Sequence, residues 1–240
     1  MKFLRIKSSS KKVRADGSRF KSATYVEKNR KYGNQISEQT ISVKKSVLVT
    51  GAHDSGKSRF LKRLYDDERA IYGAKILYPA LWLGAIRPLS SWTDMADLEA
   101  WFNADCKRNP KNIEWASLKA YEKAERLADY VAETKAVVFV DDAHKLSGRK
   151  LQIARECVMS AHIFVMSVSD EQRIPPNLRG LVLKREPQVF RLNAETSYDM
   201  TTPLMYMAML FFAVIGFYEV SAVLGGLKYL SGGSRSTRDK

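Results

Sequence analysis

The stretch SVLVTGAHDSGKSRFLKRL, residues 46–64, decides the fold class of this chain. Residues 46–50 are a mostly apolar run that predicts a buried strand, and residues 59–73 have the apolar spacing of a helix. Between them, residues 51–58 fit the pattern G-x-x-x-x-G-K-[ST] at every fixed position, in the strand–loop–helix context that gives the pattern its meaning. The sequence therefore predicts a loop that binds the phosphates of a nucleotide.

Each part of this loop has a physical role. Gly51 and Gly56 permit close approach and unusual backbone angles, so that successive N–H groups can point at phosphate oxygens, and the following helix adds its positive N-terminal end. We expect Lys57 to contact the β- and γ-phosphates and the Ser58 hydroxyl to complete the shell of a magnesium ion. The predicted nucleotide-binding residues of the loop are Gly51, Ala52, His53, Asp54, Ser55, Gly56, Lys57 and Ser58.

A second motif follows about eighty residues later. VVFVDDAHKL, residues 137–146, is an apolar strand that ends in two carboxylates. Such a strand can deliver Asp141 to hold magnesium through water and Asp142 to orient or activate the attacking water as a general base. The alternative is that both carboxylates only cap and begin the next helix, which their position also favours.

The two motifs together resemble the Walker A and Walker B motifs of the additional-strand P-loop ATPases, and especially the AAA-type group whose second motif reads D-E-A-H. That group includes ATP-binding partners of DNA transposases and a membrane-anchored ATPase of bacterial secretion. A weaker resemblance is to the filamentous-phage assembly and zonula occludens toxin ATPases. The resemblance covers about residues 46–192 and implies bound ATP, with the acidic strand next to the loop-bearing strand.

Two features depart from this family. Asp142 stands where the family usually has Glu, one methylene longer, which leaves open slow hydrolysis or a site that mainly binds nucleotide. The apolar segment from residue 204 follows the fifth predicted strand within about a dozen residues, which leaves no room before it for the helical lid of the family.

The resemblance also implies two polar residues near the γ-phosphate, a serine and an arginine. Ser167, or Ser169, lies where the family has a polar residue that senses this phosphate. Arg179, or Arg173, lies in the region from which such ATPases project an arginine finger into a neighbouring subunit, which would require an oligomer. A surface arginine is the competing interpretation for both.

Alternating short apolar runs and helical stretches predict an α/β fold over residues 46–192, a P-loop three-layer fold with a mainly parallel five-stranded sheet. The other predicted strands are 75–84, 136–140, 162–168 and 188–192, and the other predicted helices are 92–106, 113–133 and 151–159. Pro79 places the second strand at an edge of the sheet or interrupts it.

The basic charge of the chain is concentrated at its beginning. Residues 1–45 hold 13 Lys and Arg against 3 Asp and Glu, whereas the 240-residue chain has 40 against 26. With few apolar residues in a regular pattern, residues 1–45 are predicted to be a flexible basic arm. Such an arm could bind anionic lipid or nucleic acid. Anionic lipid is the simpler expectation, because a domain tethered to a membrane already lies next to it. A solvated tail is the third alternative.

The end of the chain is apolar. Residues 204–227 form a segment of 24 residues with one charged residue, Glu219. This segment is long enough to cross a bilayer as a helix. Residues 193–203 are then a linker, and residues 228–240 a short basic tail. The two Cys residues fit neither a disulfide framework nor a metal-ligand spacing, which favours a reducing compartment for the body of the chain.

These observations together predict a single-pass protein of the bacterial inner membrane, with a cytoplasmic domain that binds and hydrolyses ATP with magnesium. We expect ATP hydrolysis to drive macromolecular assembly, secretion or DNA transfer, and the protein to act as a homo-oligomer. The competing hypothesis is a nucleotide-binding membrane scaffold or DNA-tethering module with little turnover. The residue at 142, Asp in place of Glu, keeps that hypothesis open.

Overall fold

A computed structural model describes residues 2–13, 19–28, 35–73, 79–104, 113–192 and 201–217. It divides the chain into two compact units, residues 1–194 and residues 195–240. The strands are β1 (Lys2–Val13), β2 (Arg19–Lys28), β3 (Gln35–Thr40), β4 (Val47–Gly51), β5 (Leu81–Gly84), β6 (Val137–Asp141), β7 (Ile163–Val168) and β8 (Gln188–Leu192). The helices are α1 (Lys57–Asp66), α2 (Glu68–Tyr72), α3 (Ala96–Asn103), α4 (Ala120–Glu125), α5 (Leu127–Thr134), α6 (Gly148–Ser160), α7 (Pro176–Lys184) and α8 (Thr201–Ile215).

The centre of the first unit is a five-stranded parallel sheet with the order β5-β6-β7-β4-β8. The predicted five-stranded α/β fold is confirmed, and β5, whose strand begins after Pro79, lies at an edge. The expected neighbour relation is wrong, because β7 lies between the loop-bearing strand β4 and the acidic strand β6. This inserted strand brings its own C-terminal residues between the phosphate loop and the acidic strand end.

The sheet has an apolar core on each face, because its strands are buried runs of Val, Leu, Ile, Phe and Met. One core joins the sheet to the helices between β5 and β8, and includes Trp92, Leu127 and Tyr130. The other core joins it to α1, α2 and the N-terminal strands, and includes Phe60, Phe139 and Phe190. The three layers hold the C-terminal edge of the sheet in place, and the site lies at that edge.

Within residues 1–45, predicted to be a flexible arm, the described residues 2–13, 19–28 and 35–40 are strands. Strands β1, β2 and β3 form an antiparallel sheet that pairs in the order β1-β2-β3. Leu4, Ala23 and Tyr25 are buried in the same core as α1 and β8. Tyr25 makes edge contacts with the rings of Phe60 and Phe190. These few apolar residues suffice because the surface that they cover belongs to the nucleotide-binding fold.

The helices differ from prediction mainly in where they break. The predicted helix 59–73 is divided into α1 and α2 at Asp67, and the predicted helix 113–133 into a 3-10 turn at Trp115–Ser117 followed by α4 and α5. A further helix, α7, begins at Pro176 directly after Pro175 and was not predicted. Proline supplies no backbone N–H, which is tolerated at the first turn of a helix. Part of the second predicted strand, residues 75–78, lies outside the described residues.

The described part of the second unit is the helix α8, which continues to Phe217 by a turn. Its side chains are apolar around the helix, and large ones are exposed at Tyr206, Met207, Leu210, Phe211, Val214 and Ile215. Among the described residues, no helix has both the length and the apolarity needed to cross a bilayer. Residues 218–227 of the predicted span, the linker residues 193–200 and the tail 228–240 lie outside the described residues.

Candidate functional site

The phosphate loop connects β4 to α1 at the C-terminal edge of the sheet, as predicted. Gly56 has a φ of +84° directly before α1, a conformation that glycine adopts at no steric cost. A Cβ atom at Gly51 would lie 2.3 Å from the carbonyl oxygen of Leu192 and 2.6 Å from the Ser55 hydroxyl. Both fixed glycines of the motif are therefore required by the backbone itself.

Lys57, the first residue of α1, is buried, and its side chain returns over the loop. Its Nζ donates hydrogen bonds to the carbonyl oxygens of Gly51 at 2.9 Å and Ala52 at 2.6 Å. Burial lowers the pKa of Lys57 from its ordinary value, an effect that the carboxylates of Asp142 and Asp141 oppose. The ammonium group is thus held inside the loop, where it can meet phosphate oxygens.

Three side chains meet where the loop faces the acidic strand end. Ser58 donates to Asp141 Oδ1 at 3.0 Å, and Ser167 donates to the same oxygen at 2.7 Å. Ser167 is fully buried at the end of β7, the strand inserted between β4 and β6. Of the two serines that the sequence offered, Ser167 joins this cluster, whereas Ser169 Oγ is buried with no hydrogen-bond partner among the described residues.

Asp142, the predicted general base, lies next to this cluster in a left-handed conformation with a φ of +54°. Its N–H donates to Ser167 Oγ at 2.8 Å, and its carboxylate pairs with Lys145 Nζ at 2.7 Å. The 3-10 turn Ala143–Lys145 brings Lys145 back over the carboxylate. Asp142 also directly precedes the 3-10 turn Ala143–Lys145, as the alternative role of a cap requires, but its side chain makes no capping hydrogen bond there, and α6 begins only at Gly148.

Lys145 and His144 belong to the site and were not predicted. Burial is the main cause that lowers the pKa of His144, and the neighbouring charges include Asp142, Lys145, Lys57 and Arg173. The Nδ1 atom of His144 is buried without a hydrogen-bond partner among the described residues. Both residues lie within the motif VVFVDDAHKL, so their proximity to Asp142 in sequence was the available signal.

The remaining predicted residues lie on the surface. His53 and Asp54 of the loop contact each other at 3.0 Å, and both side chains are largely exposed. Arg179 is exposed on α7. Arg173 is exposed at the end of the 3-10 turn Glu171–Arg173, and its charge is among those that lower the pKa of His144. Arg173 therefore lies near His144 of its own chain.

A cavity of about 680 Å³ opens beside the beginning of the loop. Its walls come from the ends of β4 and β8 and from the segment after β7, and the Arg191 side chain crosses to Glu171 at 3.3 Å. The residues that line it are Thr50, Gly51, Ala52, Ser169, Asp170, Glu171, Gln172, Arg191 and Leu192.

The oxygen atoms of Ser58 and Asp141 fit a magnesium ion, which prefers carboxylate, hydroxyl and water oxygens. Within the described residues there is no group of three or more His, Cys, Asp and Glu side chains that could hold a metal ion. A magnesium ion here would depend on phosphate oxygens for further ligands, as is usual for nucleotide-bound magnesium.

The sheet order and the loop at its centre identify the fold class. This fold fits a P-loop ATPase. No protein-family model matches the chain. No curated protein matches its sequence.

Several solved structures show a weak similarity to the chain, with low sequence identity and low TM-scores. A DNA replication initiation factor has 13% identity and a TM-score of 0.36 over 72% of this chain and 46% of its own. Cdc6p from Pyrobaculum aerophilum has 17% identity and a TM-score of 0.34, over 62% and 38%. The Aeropyrum pernix ORC2 protein in its ADP form has 16% identity and a TM-score of 0.36, over 69% and 47%. The chain spans less than half the length of each, and such values assign it to no family.

Proposed function

We propose that this protein is a magnesium-dependent P-loop ATPase anchored in the bacterial inner membrane. The observation that carries the proposal is the cluster of Ser58, Asp141 and Ser167 beside the phosphate loop. The two serine hydroxyls lie 3.0 and 2.7 Å from one carboxylate oxygen, so a loop, a neighbouring strand and the acidic strand converge on one point. This convergence supports nucleotide binding with a metal ion more than a solvated turn.

The binding step rests on Lys57 and the backbone of the loop. The Lys57 ammonium holds two loop carbonyls, at 2.9 and 2.6 Å, and would exchange these contacts for oxygens of the β- and γ-phosphates. The loop N–H groups and the start of α1 add positive partial charge. A bound magnesium ion would neutralise part of the phosphate charge. Ser58 and Asp141 are the residues that would hold this ion.

The hydrolytic step rests on Asp142. Its backbone N–H is fixed by Ser167, which places the carboxylate at the edge of the cluster. An aspartate in this place can accept a proton from a water that attacks the γ-phosphate. Its ion pair with Lys145 must loosen for this to happen, because the Lys145 ammonium group occupies the carboxylate oxygen Oδ2.

The membrane anchor is proposed from α8 and from the sequence that follows it. The described residues of α8 expose several large apolar side chains, among them Leu210, Phe211 and Val214, which is unfavourable in water. The sequence stays apolar to residue 227 with Glu219 as its one charge. A bilayer would cover this surface, with the nucleotide-binding unit on the cytoplasmic side where ATP and magnesium are available.

Homo-oligomer formation is proposed from the position of Arg179. This arginine is exposed on α7, the helix that precedes β8. An arginine supplied by a neighbouring subunit can stabilise the charge that develops on the γ-phosphate. Assembly, secretion or DNA transfer is the proposed use of the hydrolysis.

The test is to separate binding from hydrolysis in the detergent-solubilised full chain. Lys57→Ala removes the charge that meets the phosphates, so ATP affinity should fall at least tenfold. Asp142→Asn removes only the base, so affinity should stay within about threefold while phosphate release falls by 10²-fold or more. Equal loss of ATP binding in both variants would contradict the role of Asp142, and unchanged ATP binding in Lys57→Ala would contradict the proposal.

A second candidate function is a nucleotide-dependent membrane scaffold with little turnover. The ion pair of Asp142 with Lys145 at 2.7 Å favours it, together with the shorter Asp side chain in the place of Glu. Steady-state phosphate release by the wild-type chain and by Asp142→Glu distinguishes the two. A scaffold would bind ATP, release almost no phosphate and gain turnover only in the Asp142→Glu variant.

A further inference from the structure

The end of β8 lies directly beside the beginning of the phosphate loop. Gly51 pairs with Leu192 in the register of β4 and β8, and a Cβ atom at Gly51 would lie 2.3 Å from the Leu192 carbonyl oxygen. The carbonyl oxygen of Gly51 also accepts a hydrogen bond from Lys57 Nζ at 2.9 Å. The position of Gly51, and of the loop that begins there, therefore depends on where β8 ends.

The strand β8 lies at an edge of the parallel sheet, next to β4. An edge strand leaves backbone N–H and C=O groups unpaired on its outer side, so other parts of the chain must hold it there. At the first residue of β8, Gln188 Nε2 donates to Thr40 O at 2.9 Å, and Gln188 Oε1 accepts the N–H of Ser42 at 2.9 Å. The segment around the end of β3 thus holds the beginning of β8.

At the other end of β8, the contact comes from Tyr25 of β2. Its hydroxyl donates to the carbonyl oxygen of Arg191 at 3.3 Å, one residue before Leu192. The Tyr25 ring is buried and makes edge contacts with the rings of Phe60 and Phe190, with 6.0 and 5.4 Å between ring centres. The two rings hold the Tyr25 hydroxyl at the end of β8 that contacts the phosphate loop.

We infer that Tyr25 is a positioning residue for the phosphate loop. Through the Arg191 carbonyl it holds the end of β8 against Gly51, which keeps the loop N–H groups arranged for phosphate before the nucleotide arrives. A site that is arranged in advance binds more tightly, because less ordering accompanies binding. This consequence for ATP rests on the proposed function. The alternative is that the N-terminal sheet only covers an edge strand and contributes stability.

Two variants of the full chain in neutral detergent distinguish these roles. Tyr25→Phe removes the hydroxyl and keeps the ring contacts with Phe60 and Phe190. Gln188→Met is the matched control, because it keeps a side chain of similar length and removes the two side-chain hydrogen bonds at the other end of β8. Thermal melting confirms that both variants are folded and compares their loss of stability.

The first measurement is hydrogen exchange of the nucleotide-free proteins. Amides of residues 51–55 should exchange at least about threefold faster in Tyr25→Phe than in the wild type, because the loop opens locally more often. Gln188→Met should leave the exchange of these amides unchanged even if its melting temperature falls further. No acceleration in Tyr25→Phe, or equal acceleration in both variants, would overturn the inference.

The second measurement compares ATP affinity with turnover. Tyr25→Phe should lower ATP affinity by about three- to tenfold, because the loop must be ordered on binding. The kcat should be unchanged, since Ser167 of β7 holds the backbone of Asp142. Gln188→Met should match the wild type in both quantities. Wild-type ATP affinity in Tyr25→Phe, or a loss of kcat alone, would also overturn the inference.

Failure of the proposed function gives a different result. A wild-type chain that does not bind ATP would contradict the proposed function, whereas the exchange of residues 51–55 would still decide whether Tyr25 holds the loop. A wild-type chain that binds ATP, with Tyr25→Phe identical to it in exchange and affinity, would contradict only the role of Tyr25.

Discussion

Ser167 Oγ and Asp141 Oδ1 lie 2.7 Å apart and join β7 to β6 at the edge of the sheet where the phosphate loop begins. The same hydroxyl accepts the N–H of Asp142 at 2.8 Å. One buried serine thus holds the carboxylate of Asp141 and the backbone of Asp142, because its hydroxyl donates to the Asp141 carboxylate and accepts the N–H of Asp142. The roles of the two acids depend on this side chain.

Replacement of Ser167 by Ala should therefore affect hydrolysis more than it affects folding. The loss leaves the buried Asp142 N–H without its partner, which costs about 1–3 kcal/mol of unfolding free energy. Misplacement of Asp141 and Asp142 should lower phosphate release by about tenfold or more, because small errors in position are costly in a catalytic site. Denaturant melts and a phosphate-release assay measure the two effects.

Ser46→Ala is the matched control for this variant. Ser46 Oγ accepts the N–H of Phe164 at 3.3 Å, so it makes a similar bond to the other end of β7. Its removal should cost a similar unfolding free energy and leave the rate per folded molecule unchanged. A rate that falls equally in both variants would mean that Ser167 acts only through stability.

The affinity for ATP should decrease at alkaline pH because of Lys57. Burial lowers the pKa of this ammonium group below its ordinary value of 10.5. Phosphate binds the protonated form, so affinity is retained at pH values below the lowered pKa and is lost as the pH rises through it. Isothermal titration of ATP over an alkaline pH series measures this loss.

Lys57→Arg separates Lys57 from the other alkaline groups. A guanidinium group keeps its proton throughout this range, so the variant should bind ATP with an affinity that no longer falls at high pH. The same alkaline decrease in the variant would assign the titration to another residue.

The sequence predicted what depends on local pattern and missed what depends on backbone angles and tertiary contact. Strands β4, β6 and β7 are mostly continuous apolar runs, and β8 has apolar residues at Val189, Phe190 and Leu192, so their positions could be predicted within a residue. The order of strands in the sheet has no local signal, and the insertion of β7 was therefore missed. The contact between Lys145 and Asp142 was missed because it requires the positive φ of Asp142.

The N-terminal sheet was missed for a related reason. Its apolar residues are too few to form a core of their own, and Tyr25 is buried only because Phe60 and Phe190 lie opposite it. The hydroxyl of Tyr25 also donates to Arg191 O at 3.3 Å. A segment whose order comes from a distant part of the chain gives a sequence pattern typical of a disordered arm.

Replacement of Gly51 by Ala should disrupt the phosphate loop. The added Cβ would lie 2.3 Å from the Leu192 carbonyl oxygen, a backbone atom that can move only with β8. We expect a loss of about 1–3 kcal/mol in unfolding free energy and at least a tenfold loss of ATP affinity. Denaturant melts and ATP titration measure these two changes.

Gly180→Ala is the control for the glycine substitution. Gly180 lies within α7, and a Cβ atom there would meet nothing within 4 Å. Alanine at this position should raise the unfolding free energy by about 0.4–1 kcal/mol and leave ATP affinity unchanged. Wild-type stability and affinity in Gly51→Ala would show that β8 adapts to the added methyl group.

Replacement of Lys145 by Gln should release Asp142 and raise turnover modestly. The pair is 2.7 Å long, and the Lys145 side chain is 40% exposed, so the interaction is worth at most about 1 kcal/mol. Phosphate release should therefore rise by no more than about fivefold, with little change in ATP affinity. A fall of tenfold or more would mean that Lys145 itself contacts the phosphates. Lys150→Gln is not a suitable control, because Lys150 donates hydrogen bonds to the carbonyl oxygens of Ala85 and Arg87.

Two inactive variants mixed together should show whether Arg179 acts on a neighbouring subunit. Arg179→Ala keeps an intact phosphate loop, and Lys57→Ala keeps an intact Arg179, so a mixed oligomer contains sites in which both residues are present. Phosphate release should reappear on mixing, to a level that increases with the share of mixed interfaces. Arg173 provides the internal comparison, because it lies near His144 of the same chain and we expect it to act there. A mixture of Arg173→Ala with Lys57→Ala should stay inactive, since no site in it has both Lys57 and Arg173. If activity returns only in the mixture with Arg173→Ala, Arg173 acts on the neighbouring subunit and Arg179 does not. Full activity of Arg179→Ala and of Arg173→Ala would mean that neither arginine takes part in hydrolysis.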